Sequence, residues 1–319
     1  IACTDLDVDV KSYYEQYPNN EIAVEAKASG AFFAFRGALG RRFDEAISMN
    51  SDEYTGVSFD GDYLNNGDLA GFSLHNVSYD NSKSQLDAYN DIMSGITQAN
   101  KVIVELGGED APASARLRAV RAFYHFLLMD NWGDTPILDH IAAEDEVIDR
   151  QPRADVAKWI ESELLACKEN CTSEVNTNTY GKPTKWMCEA LLAKLYINWP
   201  VYTKDITDNA WEYGTNDKLN DCIAACDAVI NSGNYALAGG DNNDFKKKFF
   251  YDNGPQIKDF IYAMPFDAAT QGGLTYARFR TWRRGQNANG LYSVEMTKSV
   301  GGNFALTPEY SALFCLPGD

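Results

Sequence analysis

Ala113-Ser-Ala-Arg-Leu-Arg-Ala-Val-Arg-Ala-Phe-Tyr-His-Phe-Leu-Leu-Met-Asp-Asn-Trp132, followed by Gly133-Asp134-Thr135-Pro136, decides the fold. The stretch is rich in Ala, Leu, Arg and Met and has no Gly or Pro in its interior, a composition that favours helix. Leu117, Val120, Tyr124, Leu127 and Leu128 recur at helical spacing and form one apolar stripe. Ala119, Ala122, Phe123 and Phe126 make much of the opposite side apolar too. A helix apolar nearly all round is buried between neighbours. Gly133 suits the position just past its end, and Pro136 cannot continue it. At this length the rod spans roughly 27 Å, about the width of a small domain. The stretch reads as the central helix of an all-helical scaffold.

Helical periodicity extends on both sides. Glu21 to Arg42 reads as a helix interrupted at Gly30 and Gly37. Residues 86–106 keep a three-four spacing through Tyr89, Ile92, Met93, Ile96, Ala99, Val102 and Ile103, and stop at Gly107-Gly108. Further helices are expected over 152–171, over 184–199 with Pro200 as the stop, and over 218–231 with Gly233 as the stop. They fall into pairs, 86–106 with 113–132 and 152–171 with 184–199, which leaves 218–231 without a visible partner. Such pairs suggest tetratricopeptide-like units, although the strict consensus of that repeat is absent and a generic bundle fits the periodicity equally.

Two segments lose the rhythm. Residues 48–84 are dense in Gly, Asn and Asp with aromatics between them. Residues 234–319 contain an expected short strand, Phe260–Phe266, then Gln271-Gly-Gly-Leu-Thr-Tyr276, Phe279, Trp282, Arg283 and Arg284. Loops this long are functional or disordered, and their aromatic content argues against disorder. The expectation is one domain over 1–319: an all-α scaffold at about 86–231, with irregular segments and a few short strands presenting a ligand face.

Composition narrows the function. The net charge of −18 opposes binding to nucleic acid or docking on anionic lipid, since both need a basic surface. No run approaches the apolar length of a membrane-spanning helix. The three His, His75, His125 and His140, are widely separated, and His125 sits among Phe and Leu as a packing residue rather than a general base. No nucleophile elbow, phosphate loop or His-Glu-x-x-His motif occurs. With 46 Asp and Glu, some carboxylate pairs arise by chance, so their presence does not indicate a glycosidase. Asp60, Asp62, Asn65, Asn66 and Asp68 offer oxygens but lack the calcium-loop pattern. Cys167/Cys171 and Cys222/Cys226 are each four apart on expected helices, where Cβ atoms lie about 5–6 Å apart, too far for an unstrained bridge. Two such pairs could assemble a four-thiolate site, but their spacing is not that of zinc knuckles. Buried small hydrophobes is the favoured reading, with no metal or other cofactor.

The central helix also carries a resemblance. Arg116-Leu117-Arg118, Arg121-Ala122-Phe123-Tyr124 and Trp132-Gly133-Asp134-Thr135-Pro136 resemble the signature block of the SusD/RagB family, outer-membrane glycan-binding lipoproteins of Bacteroidota. The departure is an inserted Val-Arg-Ala before Phe-Tyr. Gly181-Lys-Pro-Thr-Lys-Trp186 with Ala190-Leu-Leu-Ala193 resembles a second family block, and Ser51-Asp52-Glu53 a third. The resemblance implies a tetratricopeptide-like scaffold and delivery of oligosaccharide to a SusC-like TonB-dependent transporter. It implies a place on the outer face of the outer membrane, held only by a lipid on Cys3, which stands in Ile1-Ala2-Cys3 ahead of an acidic run. Family chains run further, so additional C-terminal helices beyond Asp319 are expected.

Sugar rings present an apolar C–H face and a hydroxyl rim. Aromatic planes suit the first and Arg, Asn, Asp or Gln the second. The candidates are Tyr63, Tyr276 and Trp282 for stacking, with Asn66, Arg278 and Arg280 for hydroxyls. Two alternatives stand beside this reading: a helical-repeat protein that binds peptides, and a polysaccharide-degrading enzyme on a helical frame.

Overall fold

The computed structural model describes residues 21–34, 36, 43–56, 70–204, 215–237, 242–249, 252–266 and 304–316. In chain order the described elements begin with α1 (Glu21–Phe32), α2 (Phe43–Asn50), β1 (Tyr54–Gly56), α3 (Ala70–Ser73), α4 (Lys83–Glu105) and α5 (Ala115–Trp132). They continue with α6 (Arg153–Cys167), α7 (Lys185–Ile197), α8 (Trp199–Thr203), α9 (Leu219–Asn231), α10 (Asn242–Lys247) and β2 (Phe304–Leu306). The architecture is helix on helix, as the sequence predicts.

The central helix is α5. Leu117, Val120, Tyr124 and Leu128 are fully buried, and so are Ala119 and Ala122 on the other side. Three neighbours account for this all-round burial: α5 packs against α4, against α6 and, more lightly, against α1. It begins two residues later than expected, because Pro112–Ser114 forms a 3-10 turn in which the Ser114 hydroxyl donates to the Gly108 carbonyl at 2.8 Å. It ends at Gly133, whose N–H donates to the Met129 carbonyl at 2.9 Å.

A buried guanidinium ties the elements around α5. Arg121 is 1% exposed. It donates to Asn100 Oδ1 on α4 at 2.8 Å, to both Glu109 oxygens at 2.8 and 2.9 Å, to the Asp139 carbonyl at 2.8 Å and to Glu163 on α6 at 2.7 Å. Arg118, one turn back, shares Glu163 at 2.6 Å. Burial pushes the Glu163 carboxyl up, and the two arginines outweigh it and hold the group below the usual carboxylate range. Asn100 also donates to the carbonyls of Leu138 and His140, at 3.1 and 2.7 Å. The connection from α5 to α6 is thereby laid back over α4, and a bridge between Thr135 and Gln151 closes it.

Several boundaries differ from the sequence reading. Helix 152–171 stops at Cys167, and a 3-10 turn over Lys168–Asn170 separates it from Cys171. Helix 184–199 stops at Ile197, and Pro200 opens the new helix α8 instead of ending the old one, since a first-turn position needs no N–H donor. The expected lone helix 218–231 has a partner: α9 packs along α7, through Cys222, Ala225 and Val229. Segment 48–84 contains β1, α3, a 3-10 turn at Tyr79–Asn81 and the first turn of α4. Phe260–Phe266 is not a strand. It has no paired strand among the described residues, and it packs Tyr262 edge-on against Phe123 at 5.8 Å and Met264 against the main core. No described helix is long and apolar enough to cross a membrane.

Close approach explains Gly95. A Cβ there would lie 2.6 Å from the Tyr124 ring and 2.8 Å from the Ala34 Cβ, where α1, α4 and α5 meet. Gly95→Ala should cost about 1–3 kcal/mol, measured by urea unfolding, because the Tyr124 hydroxyl is anchored to the Ala31 carbonyl and cannot retreat. Arg121→Leu should cost more, about 3 kcal/mol or above, by leaving the buried Asn100 oxygen without its donor and Glu109 and Glu163 with only Arg118.

Candidate functional site

A two-stranded antiparallel ribbon is where the two irregular segments meet. Tyr54 pairs with Leu306, Thr55 with Ala305 and Gly56 with Phe304. Gly56 closes β1 and Phe304 opens β2, so these two residues share one end of the ribbon, although far apart in sequence.

The ribbon is held from beneath. Ala46 and Met49 of α2 and Phe72 of α3 form a small separate core, with Tyr54 packed against it. Asp52 takes a left-handed φ of 62°, which turns the chain out of α2 towards β1, and Asp is among the residues that tolerate it. Its carbonyl accepts from the Thr307 hydroxyl at 2.5 Å, and the Glu53 carbonyl accepts from the Thr307 N–H at 3.1 Å. The Thr307 hydroxyl also accepts from the Tyr310 N–H at 3.2 Å and caps the helical turn over Pro308–Ser311. Ser51-Asp52-Glu53 is therefore the joint that receives the second segment. Phe43 at the start of α2 meets Trp132 edge-on at 6.1 Å, and Tyr89 meets the same ring at 5.4 Å. The ribbon thus stands on the Trp132-Gly133 end of α5.

The second segment is also pinned where it leaves the frame. Gly181, at φ 77°, lies so close to Pro265 that a Cβ would fall 2.7 Å from the proline ring. Arg36 stacks over Phe266 at 5.9 Å. Gly181 opens the second family-like block, so that block receives the start of the segment whose end is held at β2.

Tyr63, Asn66, Tyr276, Arg278, Arg280 and Trp282 lie outside the described residues, as do Cys3 and the oxygen-rich run Asp60, Asp62, Asn65, Asn66 and Asp68. What the sequence reading missed is the ribbon itself. Its three-residue strands are too short to show a period of two.

The profile of a SusD-like family, described as "Starch-binding associating with outer membrane", matches residues 9–197. The chain belongs to this SusD-like family. No curated protein matches it significantly by sequence. Among solved structures it is similar to surface glycan-binding protein A from Bacteroides uniformis, with TM-score 0.68 and 13% identity over 93% of this chain and 61% of that one. It is similar to a laminarin-binding SusD-like protein, with TM-score 0.52 and 19% identity over 69% and 45%. A structure with xylogluco-oligosaccharide matches with TM-score 0.56 and 19% identity over 77% and 46%. The chain thus spans about half the length of the structures it matches. At these identities the likeness establishes the fold.

The SusD-like description is one of binding, and the titratable groups on the frame have structural partners. His125 is fully buried; its Nδ1 lies 2.8 Å from the Arg121 carbonyl, and its Nε2 accepts from the Leu138 N–H at 3.0 Å. A ring that accepts at Nε2 and donates at Nδ1 is neutral, and burial pushes its pKa down to about 4. His140 is exposed between Asp139 at 3.0 Å and Glu146 at 2.8 Å, which push its pKa up. A cavity of about 460 Å³ on the frame is lined, among the described residues, by Trp132, Asp134, Arg150, Arg153, Tyr202 and Lys204 with others.

The buried neutral His125 sets a pH dependence. Its folded pKa is below its unfolded value of about 6.5, so its contribution is complete above pH 6.5 and is lost as pH falls towards 4. Between pH 7 and pH 5 the loss should be about 2 kcal/mol by urea unfolding. His140 works in the opposite sense, so the comparison is with His125→Leu, in which this loss should vanish. That variant should be less stable at pH 7 by about 1–3 kcal/mol, because the Leu138 N–H loses its acceptor.

Proposed function

We propose that this chain captures oligosaccharide outside the cell across the loop-rich segments 48–84 and 234–319 and delivers it to a SusC-like TonB-dependent transporter. A lipid on Cys3 holds it to the outer membrane, and the whole chain works as one domain. The observation that supports the reading is the pairing of Tyr54–Gly56 with Phe304–Leu306, which joins two parts of the chain that flank the aromatic, amide-rich stretches in sequence. The outer-membrane, starch-binding description of the family and the glycans named for two structural neighbours support the ligand class.

The mechanism is non-covalent. Tyr63, Tyr276 and Trp282 give flat faces to sugar C–H groups, and Asn66, Arg278 and Arg280 bond to hydroxyls. The frame supplies fixed anchors, so less of the ordering cost falls on the binding step.

Isothermal titration with oligosaccharides from laminarin, xyloglucan and starch, beside a set of peptides, tests this. Saturable heat is expected with at least one glycan. Tyr63→Ala and Trp282→Ala should each weaken it about fivefold, the loss of one aromatic contact. Heat only with peptides would favour the repeat-protein alternative. Release of reducing ends during the titration would favour the enzyme.

A further inference from the structure

The α6–α7 connection gathers three thiols that the sequence reading did not join. Cys167 ends α6, Cys171 follows the 3-10 turn and Cys188 stands in the first turns of α7. Their three Sγ atoms lie within 4.8 Å of one another, and all three residues are buried. The second half of the four-thiolate site considered from sequence is elsewhere: Cys222 donates to the Ala193 carbonyl at 3.4 Å, and Cys226 is exposed.

We infer that Cys167, Cys171 and Cys188 form a three-sulfur site for one soft cation, Cu(I), that staples α6 to α7. Sulfur-to-metal bonds of about 2.3 Å in a trigonal plane require sulfurs about 4.0 Å apart, which the observed triangle reaches with little movement. Thiolate ligands select soft metals such as Cu(I) and Zn(II). No imidazole or carboxylate joins the cluster within the same distance among the described residues. Zn(II) prefers four ligands and would lack one here; three sulfurs suffice for Cu(I). Burial keeps out the water that would otherwise fill a fourth position.

The backbone around the sulfurs is fixed before any metal arrives. The Cys171 N–H donates to the Lys168 carbonyl at 3.2 Å, and the Lys185 N–H donates to the Thr172 carbonyl at 2.9 Å. Thr184 caps α7 by accepting from the Met187 N–H at 3.3 Å. Binding forms three Cu–S bonds, and each thiol that ionises releases its proton to solvent. No oxidation is involved.

The test uses the full chain, reduced and free of oxygen, with Cys226→Ser and Cys315→Ser to remove the exposed thiols among the described residues and Cys3→Ser to remove the thiol outside them. One equivalent of Cu(I) should survive gel filtration against a chromogenic Cu(I) chelator, and Tm should rise by about 5 °C at a hundredfold excess over Kd. Cys188→Ala should lower the affinity at least tenfold and abolish the rise in Tm. Should Cys188→Ala fail to fold, Cys171→Ser gives the same readout. Equal retention by wild type and variant, preference for Zn(II) over Cu(I), or a disulfide between two of the three in protein recovered from its own outer membrane would each overturn the site.

Discussion

The Arg121 guanidinium sets the geometry on which the rest depends. Its partners belong to α4, to the turn after α4, to the segment after α5 and to α6. A buried cation cannot give up such partners cheaply, because each lost acceptor leaves charge or polarity stranded in a dry interior. The hydrophobic contacts around α5 are non-directional and would tolerate several registers. The charged fork tolerates few, since its planar donors must meet Asn100 and two carboxylates together. Cohesion thus comes from Leu117, Val120, Tyr124 and Leu128, and orientation from Arg121.

A frame with one orientation can serve as a bench. The Trp132-Gly133 end of α5 carries the aromatic contacts with Phe43 and Tyr89, and through α2 the small core beneath the ribbon. Gly181, at the entrance to α7, receives the chain at Pro265. The first and second blocks that resemble the family in sequence therefore lie where irregular chain meets regular frame. Gly133 is read as a helix stop, whereas Gly181 is needed for the proline beside it.

The helices were legible because burial on one or all faces writes a period of 3.6 into the chain, as in Leu117 to Leu128. Boundaries were less legible where capping or a tight turn decided them. Cys171 was read onto the same helix as Cys167, and only the 3-10 turn at Lys168–Asn170 brings it towards Cys188. The partner of α9 was missed because pairing was read from adjacency in sequence, whereas α7 turns to a helix beyond its nearest neighbour. Phe260–Phe266 has the composition of a strand, but an apolar run becomes one only where a neighbouring edge supplies hydrogen bonds. The ribbon had no sequence signal, since its three pairs join segments that local patterning treats as unrelated.

That ribbon also accounts for why specificity is hard to read from such a chain. The entropy of closing a loop grows only with the logarithm of its length, about 0.6 kcal/mol for each doubling. Once Gly56 is paired with Phe304 and Pro265 is seated against Gly181, residues between the anchors can lengthen, shorten or change composition at little cost to the frame. The constraints that write periodicity into α5 stop at these anchors. The scaffold is therefore legible in buried, periodic residues such as those of α5, and the ligand preference proposed for the chain falls in stretches with no period to read.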